Sequence, residues 1–228
     1  MSLLVTGDTH GTFDIDKVVK FFQGREKCYS KNDYLIICGD VGVCGFSPTE
    51  EAKTRSVLRN LPVTTLFIDG NHENFEKLNA FEIDEWNGGK VHFIEKDIIH
   101  LMRGQVFCID GVRIFSFGGA YSIDKRYRTE GEDWFAEELP SKEEYEEGWN
   151  NLKKVEFCVD YIVTHSGPRE IVADMGYAEL SDDEVELRKY LQRVADNVEF
   201  KAWYFGHFHD DIEMEGTYFC LYDEVIVL

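Results

Sequence analysis

The sequence predicts an α/β fold, and two observations support that prediction. In the opening third of the chain, three short apolar runs each lead into a glycine-rich polar turn and then into a stretch with helical spacing. After a middle section of closely spaced strands, the alternation of strand and helix returns towards the C-terminus. Such alternation favours a largely parallel sheet whose two faces are both covered.

The three opening units are built alike, each with a strand, a polar turn and a helix. Pro48 suits the start of the second helix, where its missing N–H matters least. The predicted strand and helix pairs are 3–5 with 16–22, 34–38 with 48–59, and 64–68 with 75–78.

The middle of the chain changes character. Closely spaced strands with hairpin-like turns such as Asp110-Gly111 precede a charged, aromatic stretch that has no clear strand period. We interpret this stretch, at about 121–150, as a surface excursion with a helix at 141–153. Further strands are predicted at 91–93, 98–102, 105–109, 112–117, 159–163, 202–205, 212–215, 217–221 and 224–227, and a helix at 182–195.

Length and cysteine pattern indicate a single domain in the cytoplasm. No internal repeat or low-complexity linker interrupts residues 1–228, and a chain of this length can bury a sizeable core without disulfides. The six cysteines show no C-x-x-C spacing, which is typical of buried thiols in a reducing cytosol. No membrane span is expected, because no run approaches the roughly eighteen apolar residues of a transmembrane helix.

The charge balance restricts the partners. With 44 acidic against 24 basic residues, the formal net charge is −20 at pH 7. Such an excess repels phosphate backbones, so nucleic-acid binding is not expected. A small phosphorylated or nucleotide substrate is also anionic, and its site would need local positive charge, for which metal ions are the obvious source. The sequence does not indicate an oligomeric state.

Potential metal ligands recur at the ends of five predicted strands. In open α/β sheets, ligands gather beyond the carboxyl ends of the strands, so these side chains are expected at one edge. Carboxylate, imidazole and amide oxygen form the ligand set of Mn, Fe or Zn, and not that of a thiolate structural site. The candidate ligands are Asp8, His10, Asp40, Asn71, His165, His207 and His209.

Each of these short motifs, taken alone, can be explained without a metal ion. Gly39-Asp40 is a common turn signal, and a lone histidine such as His165 is more often a hydrogen-bonded residue than a ligand. The alternate histidines at 206–209 are harder to explain, because an extended chain presents both imidazoles on one side. The recurrence of such pieces at five strand ends favours a metal site.

In chain order, the motifs are D-x-H at Asp8, G-D at Asp40, G-N-H-E at Asn71, the single His165, and G-H-x-H at 206–209. This order resembles the calcineurin-like metallophosphoesterase superfamily, and the motifs extend from residue 7 to residue 209. The resemblance implies a four-layer α-β-β-α sandwich, in which two mixed sheets pack face to face between flanking helices.

The resemblance also implies that the ligands are divided between two divalent metal ions. Spacing alone would instead assign both histidines of G-H-x-H to the same ion. Mn²⁺ and Fe are the metals expected first, with Zn²⁺ next. The implied division assigns Asp8, His10 and His209 to the first ion, Asn71, His165 and His207 to the second, and Asp40 to both.

The implied activity is hydrolysis of a phosphate ester, by a phosphomonoesterase or a phosphodiesterase. Two ions about 3.5–4 Å apart can clamp an in-line displacement, with a hydroxide that bridges them as the nucleophile. Asp40 and His72 are the expected catalytic residues, Asp40 as the bridge and His72 beside the phosphate. A protonated His72 could stabilise the phosphoryl group or protonate the leaving oxygen. Asn71 and His72 are also expected to contact the substrate.

One departure from the family pattern concerns the substrate's phosphate. Protein serine/threonine phosphatases carry D-R-G shortly after the G-D motif, whereas this chain reads V-G-V-C-G at 41–45. We therefore predict that Arg126 or Arg128, from a cluster of three bases at 125–128, reaches the phosphate instead. The alternative is a solvated face on which these bases pair with nearby glutamates.

Two other functions are compatible with the sequence. The chain could be a non-catalytic metal-binding scaffold for protein interaction, although a scaffold would be free to lose ligands that are all present here. A nuclease acting on long nucleic acid is disfavoured by the net charge, although metal ions could overcome the repulsion locally.

Overall fold

The computed structural model describes residues 1–45, 47–178 and 181–228. The strands in these residues are β1 (Leu3–Thr6), β2 (Tyr34–Ile37), β3 (Thr64–Phe67), β4 (Ile83–Trp86), β5 (Gly89–Glu95), β6 (Ile98–Leu101), β7 (Gln105–Ile109), β8 (Val112–Phe117), β9 (Tyr161–Thr164), β10 (Ala202–Phe205), β11 (Ile212–Met214), β12 (Tyr218–Cys220) and β13 (Val225–Val227). The helices are α1 (Asp16–Phe22), α2 (Pro48–Asn60), α3 (Phe75–Leu78), α4 (Lys142–Lys154), α5 (Arg169–Asp174) and α6 (Asp182–Asn197). None of the helices in these ranges has the length and apolar character that a membrane crossing requires.

The strands form two mixed sheets. The first has the order β13-β1-β2-β3-β6-β5-β4, with β1, β2, β3 and β6 parallel and with β13 and β5 antiparallel to their neighbours. The second has the order β11-β12-β10-β9-β8-β7, parallel from β12 to β8 and antiparallel at both edges. The carboxyl ends of β1, β2 and β3 therefore share one edge of the first sheet, and those of β9 and β10 share one edge of the second.

Apolar side chains join the layers. Between the sheets, Ile36 of the first and Val163 of the second belong to one buried cluster. The outer face of the first sheet, which includes Ile37, packs against Leu58 and the other apolar residues of α1, α2 and α3. The outer face of the second sheet packs against α4, α5 and α6 in the same way. The order helix, sheet, sheet, helix confirms the predicted four-layer fold class.

Helix starts follow local signals in the sequence. Ser47 precedes Pro48, and its Oγ accepts the backbone N–H of Glu50 at 3.4 Å, which caps α2. At α4, Ser141 and Glu144 form a capping box in which each side chain accepts the other's backbone N–H. Both helices begin within a residue of their predicted starts.

Two elements were absent from the sequence prediction. β4 is an exposed edge strand, and its sequence I-D-E-W has no run of buried apolar residues. α5 is six residues long, which is too short to show an apolar periodicity. Both elements depend on contacts with a neighbouring element: β4 pairs with β5, and α5 packs on α6.

Ile36 provides a test of the layer between the sheets. Replacing it by alanine should lower the free energy of unfolding by about 2–5 kcal/mol, because its side chain is fully buried and its loss leaves a cavity. The matched control is Ile83→Ala on β4, where the side chain is 61% exposed and the effect should stay within about 0.5 kcal/mol. Urea denaturation followed by circular dichroism measures both, and equal destabilisation would contradict this packing.

Candidate metal centre

The candidate site lies where the carboxyl ends of parallel strands from the two sheets meet. The turns after β1, β2 and β3 supply one half of it, and the turns after β9 and β10 supply the other. All seven predicted ligands are brought together, and the predicted catalytic histidine lies beside them. These side chains are Asp8, His10, Asp40, Asn71, His72, His165, His207 and His209.

Two glycines allow the turns to approach each other this closely. A Cβ at Gly70 would overlap the carboxylate of Asp40, and a Cβ at Gly206 would overlap the carboxylate of Asp8. The backbone of Asp40 has φ = 51°, in the left-handed region that non-glycine residues adopt rarely. Such strain persists where the surrounding contacts hold it, and it is common at functional sites. The glycines of G-N-H-E and G-H-x-H are therefore required by the packing of the centre.

Asp40 lies in the middle of the cluster. Its Oδ2 is 3.4 Å from Nε2 of His10 and 3.4 Å from Nε2 of His165. Nε2 of His72 is farther from the same oxygen, at 4.0 Å. Among the described residues, three groups have ligand atoms within 4.8 Å of one another and could hold a metal ion: Asp8, His10 and His209; His10, Asp40 and His72; and Asp8, Asp40 and His165.

Two imidazole rings are oriented by hydrogen bonds at their Nδ1 atoms. Nδ1 of His10 lies 2.8 Å from the carboxylate of Asp14, and Nδ1 of His165 lies 2.6 Å from the carbonyl oxygen of Cys38. Because a carboxylate and a carbonyl oxygen accept, Nδ1 donates in both rings, and Nε2 faces the buried carboxylates. Metal-binding histidines usually have this arrangement, with one nitrogen held by an acceptor and the other available to an ion. The residues present therefore fit a divalent metal.

Asn71 and His207 also contact His165. Nδ2 of Asn71 donates to Oγ of Ser122 at 3.0 Å, and its Oδ1 lies 3.1 Å from Nε2 of His165. The amide oxygen of Asn71 and Nε2 of His165 are therefore close enough to bind the same metal ion. The ring of His207 packs edge-on against that of His165, with centroids 5.1 Å apart. Its backbone N–H donates to the carboxylate of Asp8 at 3.1 Å.

The centre requires positive charge. Burial would raise the carboxyl pKa values of Asp8 and Asp40, but the charge of His165 together with hydrogen bonds from neighbouring histidines lowers both. Burial would lower the pKa of His165, but the two carboxylates raise it to about 10. Burial would also lower the pKa of His10, but its hydrogen bond to Asp40 and the nearby carboxylate charges raise it to about 9. Imidazole protons thus compensate the carboxylates in the metal-free protein, and a bound cation would replace them.

Glu73 connects two of the turns that carry ligands. Its carboxylate accepts the backbone N–H of Val41 at 2.8 Å and that of Gly70 at 2.7 Å. Burial and the nearby charge of Asp40 raise the pKa of Glu73 to about 8. Sequence reasoning gave no role to Glu73 or to Asp14, although Glu73 belongs to the G-N-H-E motif and Asp14 stands close to D-x-H.

The charged excursion reaches the site. Nη1 of Arg128 lies 3.0 Å from Nδ1 of His72, whereas the guanidinium of Arg126 lies over the ring of Tyr127, 4.6 Å from its centroid. The serine that holds the amide of Asn71 also belongs to this excursion. Two of its side chains therefore contact consecutive residues of the G-N-H-E motif.

Cavities lie on both sides of His72. One, of about 570 Å³, extends past Phe13, and the other, of about 420 Å³, extends past Tyr121 and Phe208. The centre therefore has room for a small molecule on either side. Both cavities are bordered by Asp40, His72 and His209.

The chain belongs to the calcineurin-like phosphoesterase family, because the sequence model of that family matches residues 1–211. The match spans the whole candidate centre and confirms the resemblance carried by the motifs. Membership supports phosphoester hydrolysis as the class of reaction, and the carboxylate and imidazole clusters can hold the divalent metals that the family typically binds. The comparison with curated proteins found no match.

Solved structures share this fold at low sequence identity. The protein TT1561 of Thermus thermophilus aligns over 99% of this chain and 97% of its own, with 12% identity and a TM-score of 0.56. A putative 5'-nucleotidase from Staphylococcus aureus aligns over 99% of this chain and 50% of its own, with 15% identity and a TM-score of 0.55. GAP50, the anchor in the inner membrane complex of Plasmodium, aligns over 97% and 71%, with 10% identity and a TM-score of 0.51. At these identities the likeness shows the fold alone.

Metal binding should release protons. Near pH 7.5 the metal-free protein holds protons on His10 and His165, whose pKa values are raised to about 9 and about 10, whereas a metal ligand must be unprotonated. The affinity for the metal should therefore rise with pH as long as the pH is below these two pKa values. The number of protons released per bound ion should fall as the pH passes them. Calorimetric titration of Mn²⁺ into metal-stripped protein, in buffers of different ionisation enthalpy, measures the release. The variant His165→Asn should release fewer protons. No release from the unmodified protein would contradict both ligand assignments.

Proposed function

We propose that this chain hydrolyses a phosphate monoester or diester at a centre of two divalent metal ions. The observation that carries the proposal is that two buried carboxylates, Asp8 and Asp40, face imidazole Nε2 atoms. Two of these three rings, those of His10 and His165, are oriented by hydrogen bonds at Nδ1. Family membership supports the class of reaction. The carboxylate and imidazole clusters support the use of metal ions.

Two contacts support the assignment of His207 and His209 to different ions. Nε2 of His209 lies 3.3 Å from the carboxylate of Asp8, whereas the ring of His207 packs against that of His165. This geometry favours the division implied by the family over the expectation from spacing. We propose Asp8, His10 and His209 as ligands of one ion, Asn71, His165 and His207 as ligands of the other, and Asp40 as a ligand of both.

When bound, the two ions would supply Lewis acidity, which makes water a nucleophile near neutral pH and stabilises charge on the attacking and leaving oxygens. The protein's own part is to orient the groups around the reacting phosphate. Oδ1 of Asp40 accepts the backbone N–H of His72 at 2.8 Å, and this contact leaves Oδ2 facing Nε2 of His10 and of His165. The shared carboxylate is therefore held in one orientation.

His72 is the proposed contact to the transferring phosphoryl group or to the leaving oxygen. Its side chain is 33% exposed and borders both cavities. Its pKa is lowered, mainly by burial, which favours a neutral imidazole that donates a hydrogen bond. Asn71 would border the same phosphate. The prediction that Arg126 or Arg128 binds the phosphate directly is untested, and the internal contacts of Arg128 favour a different role for that residue.

Further properties follow from the same features. Mn²⁺ and Fe are proposed first and Zn²⁺ next, because every donor is nitrogen or oxygen. A small phosphorylated or nucleotide substrate suits cavities of about 570 and 420 Å³. A cytoplasmic location is proposed because all six cysteines are free, although the prediction that they are buried is wrong for Cys28, Cys108 and Cys158, which are exposed. A single domain is proposed because one buried cluster joins both sheets.

The alternative function is a non-catalytic metal-binding scaffold for protein interaction. Such a protein would use the same ligands but would need neither His72 nor a cavity beside it. Both are present, and this favours the enzyme.

Asp40→Asn tests the proposed function. Metal-stripped protein reloaded with Mn²⁺ should hydrolyse p-nitrophenyl phosphate, bis(p-nitrophenyl) phosphate or both, and the variant should lose activity by a factor on the order of 10² or more, because the shared carboxylate is removed. Asp84→Asn, on the exposed strand β4, is the matched control and should keep full activity. An unmodified protein that binds two metal ions but hydrolyses neither ester would favour the scaffold or an enzyme with a strict substrate requirement. The ratio of the two rates separates monoesterase from diesterase.

His72→Ala tests the role of the imidazole. Turnover should fall by roughly 10²–10³-fold, the usual loss when one hydrogen-bond donor to the charge of the transition state is removed, while the metal content stays unchanged. Steady-state kinetics together with elemental analysis measures the two effects separately. Loss of metal from this variant would show that His72 is a ligand.

A further inference from the structure

Arg128 is held in the centre of the excursion by three contacts. Its Nη1 lies 3.0 Å from Nδ1 of His72 and also donates to the carbonyl oxygen of Asp133 at 3.2 Å. Its Nη2 donates to the carboxylate of Asp124 at 2.8 Å. The side chain is 17% exposed. Because the excursion itself supplies two of these acceptors, the guanidinium is fixed before it meets His72.

The chemistry of the guanidinium determines the direction of its contact with His72. Arginine has only N–H donors and does not lose its proton in proteins, so Nδ1 of His72 accepts. The ring's own proton is then on Nε2. That nitrogen lies on the side of the ring that faces Asp40, 4.0 Å from its Oδ2. The guanidinium therefore determines which atom of His72 presents an N–H to the centre.

We propose that Arg128 is a positioning residue that holds His72 with Nδ1 as acceptor and with its N–H at Nε2, directed at the substrate's phosphate. The inference rests on the proposed function, because it assigns Arg128 a part in that reaction. Arg128 acts through His72 and does not itself bind the phosphate.

The internal contacts favour this role over direct phosphate binding. Both hydrogens of Nη1 have acceptors inside the protein, the ring of His72 and the carbonyl of Asp133. A phosphate oxygen that took either hydrogen would break a contact already made. The carboxylate of Asp124 also offsets the positive charge that an incoming phosphate would otherwise meet.

A double-mutant cycle distinguishes the two roles. We would measure kcat and KM for bis(p-nitrophenyl) phosphate and p-nitrophenyl phosphate with Mn²⁺-reloaded protein, in Arg128→Ala, His72→Ala and the double variant. If Arg128 acts through His72, Arg128→Ala lowers kcat by roughly 10-fold or more, changes KM by less than about twofold, and has no further effect in the His72→Ala background. Arg25→Ala is the matched control, because Arg25 is exposed and packs over Phe21; its kcat should be unchanged.

Other results would overturn the proposal. A rise in KM, or an equal loss from Arg128→Ala in both backgrounds, would show direct contact with the phosphate. Unchanged kcat in Arg128→Ala would show that the contact with His72 has no catalytic part.

A measurement that needs neither turnover nor a variant at Arg128 separates this inference from the proposed function. Protein labelled with ¹⁵N-histidine and loaded with diamagnetic Zn²⁺ would be examined by two-bond ¹H–¹⁵N correlation spectra, with the signals of His72 assigned by their absence from His72→Ala. A proton on Nε2 and none on Nδ1 supports the inference. A proton on Nδ1 overturns it, whatever the activity. Absence of hydrolysis together with the Nε2–H form would overturn the proposed function and leave the positioning contact intact.

Discussion

Two carboxylates from one sheet, Asp8 and Asp40, are buried against an imidazole from the other sheet, that of His165. Nδ1 of this ring lies 3.7 Å from Asp8, and Nε2 lies 3.4 Å from Asp40. Uncompensated charges at such depth would cost roughly several kcal/mol each, so the two sheets can bring these strand ends together only with positive charge between them. In the metal-free protein the imidazoles supply it, and bound metal ions would supply more. The geometry of the centre follows from this electrostatic constraint.

The protein stabilises the ligand-bearing turns with its own backbone. The carboxylate of Asp40 accepts the N–H of His72 in the turn after the neighbouring strand β3, and that of Asp8 accepts the N–H of His207 in the turn after β10 of the other sheet. Glu73 accepts two further N–H groups and joins the turns after β2 and β3. These contacts involve no metal. The donors are therefore positioned in advance, which lowers the cost of ordering them when a cation binds.

The net charge of −20 gives the centre a second constraint. A phosphate ester is itself anionic, and Arg128, the arginine that contacts His72, is paired with Asp124. Its charge is therefore partly offset, and its hydrogen bond is directed at His72. In the proposed reaction, the metal ions would attract the phosphate and the arginine would contribute orientation. This division explains how a phosphoesterase can work without a basic surface.

The sequence by itself determined the order of the strands and helices and the types of ligand, because both are local properties. Apolar runs, turn glycines, capping serines and the aspartates and histidines at strand ends can all be recognised within a few residues. The exposed strand β4 and the short helix α5 escaped recognition, because their own sequences carry no such pattern. Only the tertiary structure decided that His207 and His209 face different partners, that Glu73 joins two turns, and that Arg128 rather than Arg126 contacts His72. These features depend on distances between atoms far apart along the chain, 56 residues in the case of Arg128 and His72, and spacing in sequence does not determine such distances.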